Sequence, residues 1–384
     1  MNLRRIAVLA AKEWTEIRRD RLLLSLCLVV PVVLMLLFGF GLSFDVENLP
    51  LAIIDQDRSA ASREYASRFA DSRYFDYRGA LAREGEADAL IARGTVRAVI
   101  VIPDGFARDL TAGRTATVQT IVDGTFPVRA QTVRGYVLAI NAAASGEAAL
   151  ARAEELTGAG PAALTARAQP IVLQVRNLYN QPLLSIWSLV PKLIMVILMI
   201  SPPFLTVVGV VREKETGSIF NIYASTVSKG EFLIGKLAPY VAISMFNAAV
   251  LFTISLTLFA VPFKGDPVFF AVATLFYVIC TTGIGLVVSV FVQTQVAAMV
   301  VVAIITIVPA VLYSGVIIPI NSLAPSAALA AHALPAMYYA DIATGSFLKG
   351  VGLAVLWPNL LVLIGYSAVL LAIGYLRFSK RPSA

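Results

Sequence analysis

The chain has 384 residues, 58% of them hydrophobic and only 14% charged, with a formal net charge of +7 and a mean hydropathy of +0.79. A soluble globular protein is roughly 25% charged, so a wholly soluble enzyme or nucleic-acid-binding module is excluded and much of the chain has lipid as its solvent. Two cysteines and one histidine supply neither a disulfide framework nor a metal cluster, and His332 reads as a solvated loop residue.

In chain order, residues 1–21 are a charged leader in which Leu3, Ile6, Ala7, Ala10, Trp14 and Ile17 recur at helical spacing. The pattern predicts an amphipathic helix along the inner membrane surface, with Trp14 in the headgroup layer and Arg18 and Arg19 near its end. Six apolar runs follow, at about 22–43, 186–211, 237–262, 268–291, 296–318 and 352–376. Each suffices to cross ~30 Å of hydrocarbon at 1.5 Å per residue. The first run exceeds the about 7–15 apolar residues of a cleavable signal and lacks a small-residue cleavage site before Asp45, so it is expected to stay as a signal anchor.

Residues 44–182 have an ordinary soluble composition. "LPLAIIDQD", "YFDYRG", "VRAVIVIP" and "TATVQTIVD" read as strands, and "RSAASREYASRFADS", "AREGEADALIARG" and "DGFARDLTAG" as helices between them. A long Ala-rich helical pattern over 127–157, a flexible "TGAGPAAL" and a last strand "PIVLQVRNLY" complete an α/β domain. Asp55, Asp57 and Asp123 fall near strand ends, where a metal or phosphate site is one reading and capping of turns and helices the plainer one.

Within the second run, Pro202–Pro203 removes backbone donors and is expected to kink or unwind the helix, either as a hinge or as tolerated packing. Lys192 lies roughly 30 Å from Arg212 at 1.5 Å per residue and is expected to snorkel to the outer interface. Gly283 and Gly285 allow close helix approach. Residues 319–350 are too polar and proline-broken for a simple span and predict short re-entrant or interfacial helices on the outer side.

Between the second and third runs lies a polar island, 212–236, "REKETGSIFNIYASTVSKGEFLIGK". Its Gly230–Lys236 stretch spells GxxxxGK, but Leu237 stands where a P-loop needs Ser or Thr, and no strand precedes it. Ser228 and Glu231 instead predict a capping box at a helix start. Thr216, Ile219, Phe220 and Tyr223 share one face of a short helix. From the residues alone, that face either docks in a partner's groove or anchors the chain at the headgroups.

Basic residues outnumber acidic ones by three in the leader, by three in the tail 377–384 and by one in the island, whereas 44–182 holds 15 Arg against 16 Asp and Glu. Positive flanks stay in the cytoplasm. Both termini and the island are therefore expected in the cytosol and residues 44–182 outside. No nucleic-acid partner is implied.

Taken together, "AAKEWTEIRRDR", "LPLAIIDQDRSAASRE", "REKETGSIFNIYASTVSKGEFLIGKLAPY", "LYSGVIIPINSLAP" and "FLKGVGLAVLWPNLL" resemble the membrane subunits of ABC transporters of the ABC-2 class, especially the multidrug-efflux-like permeases. The resemblance implies a polytopic α-helical bacterial inner-membrane protein with six transmembrane helices and an α/β extracytoplasmic domain between the first and second. It implies a non-enzymatic permease that exports drug-like or lipid-like substrates. A second permease chain completes the pathway, and a separate ATPase binds ATP and magnesium. Arg212, Glu213, Lys214, Glu215, Thr216 and Gly217 are then expected at the ATPase contact, with Ile219, Phe220 and Tyr223 supplying its apolar part. The leader with Trp14, Arg18 and Arg19 would be a connecting helix, and the outer domain would recruit a periplasmic adaptor or guide substrate outward. The rival from another class is a membrane-anchored receptor or scaffold, phage-infection-protein-like, whose outer domain binds a ligand without transport.

Overall fold

Two kinds of hydrophobic pattern, continuous and alternating, build two compact units: residues 1–43 with 177–384, and residues 44–176. The computed structural model describes the chain except for residues 1, 43–47, 126, 158–177, 183, 218–226, 317–323 and 378–384. Most of the expected last strand of the α/β domain, and the "TGAGPAAL" stretch before it, lie outside the described residues.

In the 44–176 unit, β1 (Leu49–Asp55), three further strands and the helices between them follow the alternation read from the sequence. The strands are β1, β2 (Phe75–Ala80), β3 (Ala98–Ile102) and β4 (Gln119–Val122), arranged in the order β2-β1-β3-β4. β1 pairs in parallel with β2 and β3, and β3 antiparallel with β4. Parallel neighbours need crossovers, which the helices Ala60–Ala70 and Glu84–Ala92 supply. The period of two sends Leu51, Ile53, Ile100 and Ile102 into one core with Tyr65, Phe69, Phe106 and Val133. The alternate residues Ala52, Ile54, Val99 and Val101 enter a second core with Ala87. A strand buried on both faces reads as an unbroken apolar run, and "AVIVI" is that strand.

The three aspartates at strand ends serve the backbone. Asp55 accepts from the Arg58 amide (2.9 Å) and the Ser62 hydroxyl (2.8 Å). Asp57 accepts from the amides of Gly105 (2.8 Å) and Ala107 (3.1 Å) where a short helix, Phe106–Thr111, begins. Asp123 pairs with Arg97 and accepts from the Thr125 amide at 2.9 Å.

The other unit is helical. Numbered in chain order through both units, the helices are α1 (Leu3–Arg19), α2 (Arg21–Gly41), α3 (Ala60–Ala70), α4 (Glu84–Ala92), α5 (Phe106–Thr111), α6 (Pro127–Thr157), α7 (Ser185–Glu215), α8 (Lys229–Thr257), α9 (Pro267–Phe291), α10 (Gln295–Leu312), α11 (Pro325–His332), α12 (Pro335–Thr344) and α13 (Leu353–Arg377). Among the described residues, α7, α8, α9, α10 and α13 are long and apolar enough to cross a membrane, and α2 contributes a shorter apolar stretch, Cys27–Gly41. The central post is α7, which packs against α2, α8, α9, α10 and α12.

Three details bear on the sequence reading. Helix α7 stays helical through Pro202 and Pro203, so the two prolines do not unwind it. Both prolines are buried, and a Cβ on Gly285 of α9 would lie 2.5 Å from the Pro203 carbonyl oxygen, so the glycine is what lets the two helices meet there. Lys192 is half-buried and donates at 2.7 Å to the carbonyl of Gly315, three residues beyond the end of α10. The third apolar helix starts at Lys229 with the capping box expected from the sequence, so it begins inside the polar island and ahead of the apolar run from 237: Ser228 accepts from the Glu231 amide, and Glu231 accepts from the Ser228 amide at 2.9 Å.

The described part of 319–350 folds as the two short helices α11 and α12 and a π-helical turn, Gly345–Lys349. It goes deeper than an interfacial lid, since Tyr339 is fully buried and stacks on Tyr277 with ring centroids 4.2 Å apart. His332 is exposed.

An acid titration tests the account of the strand-end aspartates. Hydrogen bonds from Thr125 and the Arg97 pair hold the Asp123 carboxyl at about 2, below its ordinary 3.8, and Ser59 with the Gly105 and Ala107 amides holds Asp57 below the ordinary value as well. Depressed carboxyls contribute stability above the unfolded-state value and lose it as pH falls through the folded one. Protease protection of residues 44–176 in the full-length protein should therefore weaken between about pH 4 and pH 2. Asp123→Asn should flatten that loss; an unaltered profile would count against it.

Candidate functional site

The site assembles where the leader meets the ends of α7 and α8. Helix α1 is capped by Asn2, whose side chain accepts from the Arg4 amide at 3.0 Å. Its amphipathic pattern buries Ile17 but also Glu13, on the face turned toward the bundle. Gly235 of α8 makes the approach close: a Cβ there would lie 2.7 Å from Leu9 Cβ and 3.1 Å from the Ile6 carbonyl oxygen.

Glu13 and Lys236 are each almost wholly buried, and the Lys236 ammonium sits 2.7 Å from Glu13 Oε1. The same ammonium lies 2.8 Å from Oε2 of Glu213, another buried carboxylate. Oε1 of Glu213 accepts from Lys12 at 2.8 Å. Tyr240 donates to Glu13 Oε2 at 3.0 Å, through a notch left by Gly209, where any Cβ would collide with the tyrosine oxygen. Two carboxylates and two ammonium groups balance. That balance is the condition for keeping charges out of water, because an isolated buried ion costs several kcal/mol or more. Burial pushes the Glu13 carboxyl above its ordinary value, Lys236 pulls it back down, and the like charge of Glu213 adds to the rise.

The four charges "REKE" each hold a different part of the chain's own framework. Arg212 pairs with Asp20 at the α1–α2 junction. Glu213 joins α1 to α8. Lys214 donates to the Ser289 and Val290 carbonyls at the C-terminal end of α9, where helix carbonyls lack partners. Glu215 accepts from the Gln295 amide at 3.4 Å and from its side chain, placing a carboxylate at the positive end of α10. Thr216 then ends α7, and Gly217 turns the chain away with φ of 72°, a left-handed conformation that favours glycine.

These positions change the reading of the expected partner contact. Glu213 was expected at the ATPase contact; it is 4% exposed and engages the chain's own Lys12 and Lys236, because a buried carboxylate needs counter-charges at hand. Arg212, Glu215 and Thr216 are exposed, and Lys214 and Gly217 half-exposed. Ile219, Phe220 and Tyr223 lie outside the described residues. On α1, Trp14, Arg18 and Arg19 are exposed on the side away from Glu13 and Ile17. Pro202 and Pro203 lie further along α7, against Gly285.

Sequence reasoning treated Lys12 and Glu13 as part of a solvated face, and Lys236 as the last letter of a false nucleotide motif. The available signal was position. Lys236 follows "EFLIG" and precedes "LAPY" on a helix already started by its cap, and a charge among apolar residues there calls for a partner. Among the described residues, Glu13, Glu16 and Glu213 bring carboxylate oxygens within 4.8 Å of one another. With Lys236 and Lys12 already on Glu13 and Glu213, a metal ion there would compete with two ammonium groups.

Breaking a buried ion pair costs about 3–5 kcal/mol when one partner is stranded. Lys236→Met is therefore expected to release α1, read as loss of hydrogen-exchange protection over residues 3–19 of the full-length protein. Adding Glu13→Gln should recover part of it by removing a stranded charge. Native-like protection in Lys236→Met would mean that apolar contacts alone hold the leader.

A family model described as ABC-2 family transporter protein matches residues 21–376. Two relatives from Escherichia coli (strain K12) are the probable multidrug ABC transporter permeases YbhS and YbhR. YbhS is 27% identical over 383 residues, covering 99% of this chain and 98% of the relative. YbhR is 28% identical over 377 residues, covering 96% and 98%. The inner membrane transport permease YhhJ of the same strain is 23% identical over 386 residues, covering 99% and 98%. With its helices, its polar island and nearly its whole length accounted for, the chain belongs to the ABC-2 family of transporter proteins.

Proposed function

We propose that this chain is the permease subunit of an ATP-driven exporter. It moves hydrophobic or amphipathic substrates, drug-like or lipid-like, out of the cytoplasm or the inner leaflet. A separate ATPase binds ATP and magnesium and supplies the energy. In this reading α2 is the first of six spans, the 44–176 unit is extracytoplasmic, and α1, the island and both termini are cytosolic. A second permease chain completes the path. The apolar stripe of Val296, Val300, Ile304 and Val308, left exposed on α10, supports such a neighbour.

One observation carries the mechanism. Residues 218–226 link the end of α7 to the start of α8, and the Glu13–Lys236–Glu213 interlock ties both of those ends to α1. A push on the loop would then move three helices as one body instead of bending a free hairpin. Arg212, Lys214 and Glu215 extend the same connection to the α1–α2 junction, α9 and α10. Within the loop, Ile219, Phe220 and Tyr223 supply the apolar contact with the ATPase. Exposed ion pairs contribute only about 0–1 kcal/mol each, so the apolar residues set much of the affinity and the charges set register.

The experiment is purification from the native membrane followed by substrate-stimulated ATPase assay. The wild-type chain should bring an ATPase subunit with it, and Phe220→Ala with Tyr223→Ala should lose both the subunit and the stimulation at normal expression. Retention of both would remove the loop from the coupling path. Labelling of a cysteine placed at Ser225 by an impermeant reagent in intact cells would overturn the orientation and the exporter reading with it.

A further inference from the structure

Within the 44–176 unit, α3, α5 and α6 enclose a cleft of about 520 Å³. Small-molecule sites span about 300–1,000 Å³, so the cleft is of a size to hold one. Its floor is Tyr65, Phe106 and Leu110, which also belong to or pack against the core under the sheet. The cleft exists because α6 loses bulk along one face. Val133, Val137 and Ile140 of that face pack into the core, and the positions that follow at helical spacing, Ala144, Ala148 and Ala151, line the cleft.

The rim is polar, and its charged groups belong to the lining itself. Arg68 of α3 reaches Glu147 of α6 at 2.6 Å and Glu64 of its own helix at 3.1 Å, and all three side chains line the cleft. Two carboxylates against one guanidinium leave the rim with a formal charge of −1. Both acids are exposed and Arg68 is half-buried. Ion pairs in such a setting are weak, so an incoming cation can share the two acids with Arg68. Below the rim, the Tyr65 hydroxyl donates to Asn141 Oδ1, which leaves the Asn141 amide hydrogens as donors in the lining. The Tyr65 and Phe106 rings, with centroids 5.4 Å apart, supply an aromatic surface for a hydrophobic body. An apolar floor under a net acidic rim has the charge and polarity of an amphipathic cation reversed.

We infer that this cleft is a binding site for an amphipathic organic cation, with its apolar body on Phe106 and Leu110 and its cationic centre between Glu64 and Glu147. An anionic ligand meets two carboxylates for the one guanidinium, and a wholly apolar ligand leaves the rim charges unanswered. The inference rests on the fold of residues 44–176 alone. It needs neither the proposed transport direction nor the ATPase contact. A bound cation would join α3 to α6 at the place where Arg68 already bridges them.

The test uses tetraphenylphosphonium, a rigid cation with an apolar surface, and tetraphenylborate, an anion of the same shape. The full-length protein in phosphatidylcholine nanodiscs is titrated with each and followed by hydrogen exchange, with empty nanodiscs correcting for probe taken up by lipid. Tetraphenylphosphonium should protect residues 61–68 and 141–151, and tetraphenylborate should do so on the order of tenfold more weakly. Glu64→Gln with Glu147→Gln turns the rim charge from −1 to +1 and should weaken the cation on the order of tenfold. Ala148→Trp fills the cleft from an exposed position and should abolish the protection. Native exchange over the buried strand 98–102 in each variant reports that the unit is folded. Saturable binding of the cation without protection of the two segments would overturn the assignment, as would equal binding of the two ions by the wild type. Unchanged affinity in the double glutamine variant would overturn it too, and so would a lower oligomeric mass in Ala148→Trp, which would put a second copy in the cleft. These readouts involve neither ATP nor transport, so failure here and failure of the exporter reading are distinguishable.

Discussion

A charge withdrawn from water must find its counter-charge nearby, and Lys236 is where that constraint governs this molecule. Its ammonium faces two buried carboxylates from different parts of the chain, Glu13 and Glu213, and its own helix presents Tyr240, one turn on, to the same cluster. Buried ion pairs are poor net stabilisers compared with well-packed hydrocarbon, but they are demanding about partners and geometry. An apolar seam would let α1 slide along α8. An ionic one, with Gly235 fixing the distance and Gly209 admitting the tyrosine, holds it in one register. The neighbouring charges of α7 extend this logic sideways, each meeting a helix end or junction.

Much of the architecture was legible because it rests on local rules. Strand β3 could be read from "AVIVI", since only a strand buried on both faces carries such a run. The start of α8 could be read from Ser228 and Glu231. Span limits were less legible, because hydropathy marks where lipid contact begins whereas caps mark where the helix begins, and for α8 these differ. Lys192 was read as a snorkelling cation from its place along α7, and its hydrogen-bond partner, the Gly315 carbonyl, lies 123 residues away in the chain and carries no local signature.

The ionic cluster was not legible at all as a cluster. Glu13 and Lys236 are 223 residues apart in the chain. On a helical wheel Glu13 borders the apolar stripe one turn before Ile17, with nothing to say which cation would answer it, and GxxxxGK offered a ready but false context for Lys236. The residues that sequence reasoning favoured, "REKETG", were correctly singled out as a boundary where charge gathers. Their partners had no sequence signature, because a helix terminus on α9 or α10 is an electrostatic feature of the fold and not of any motif.

The long separation of Glu13 from Lys236 has a consequence for biogenesis. Synthesis proceeds at about 5–20 residues per second, so some 223 residues of delay leave the leader without its ammonium partner for roughly 10–45 s. During that interval α1 is an amphipathic helix whose Glu13 has yet to meet Lys236. Closure of the cluster waits for the third apolar helix to emerge. The N-terminal helix is thus among the first segments made but is fixed only once α8 has emerged, before α9, α10 and α13 follow, so its docking divides the assembly of the helical unit into an earlier and a later half.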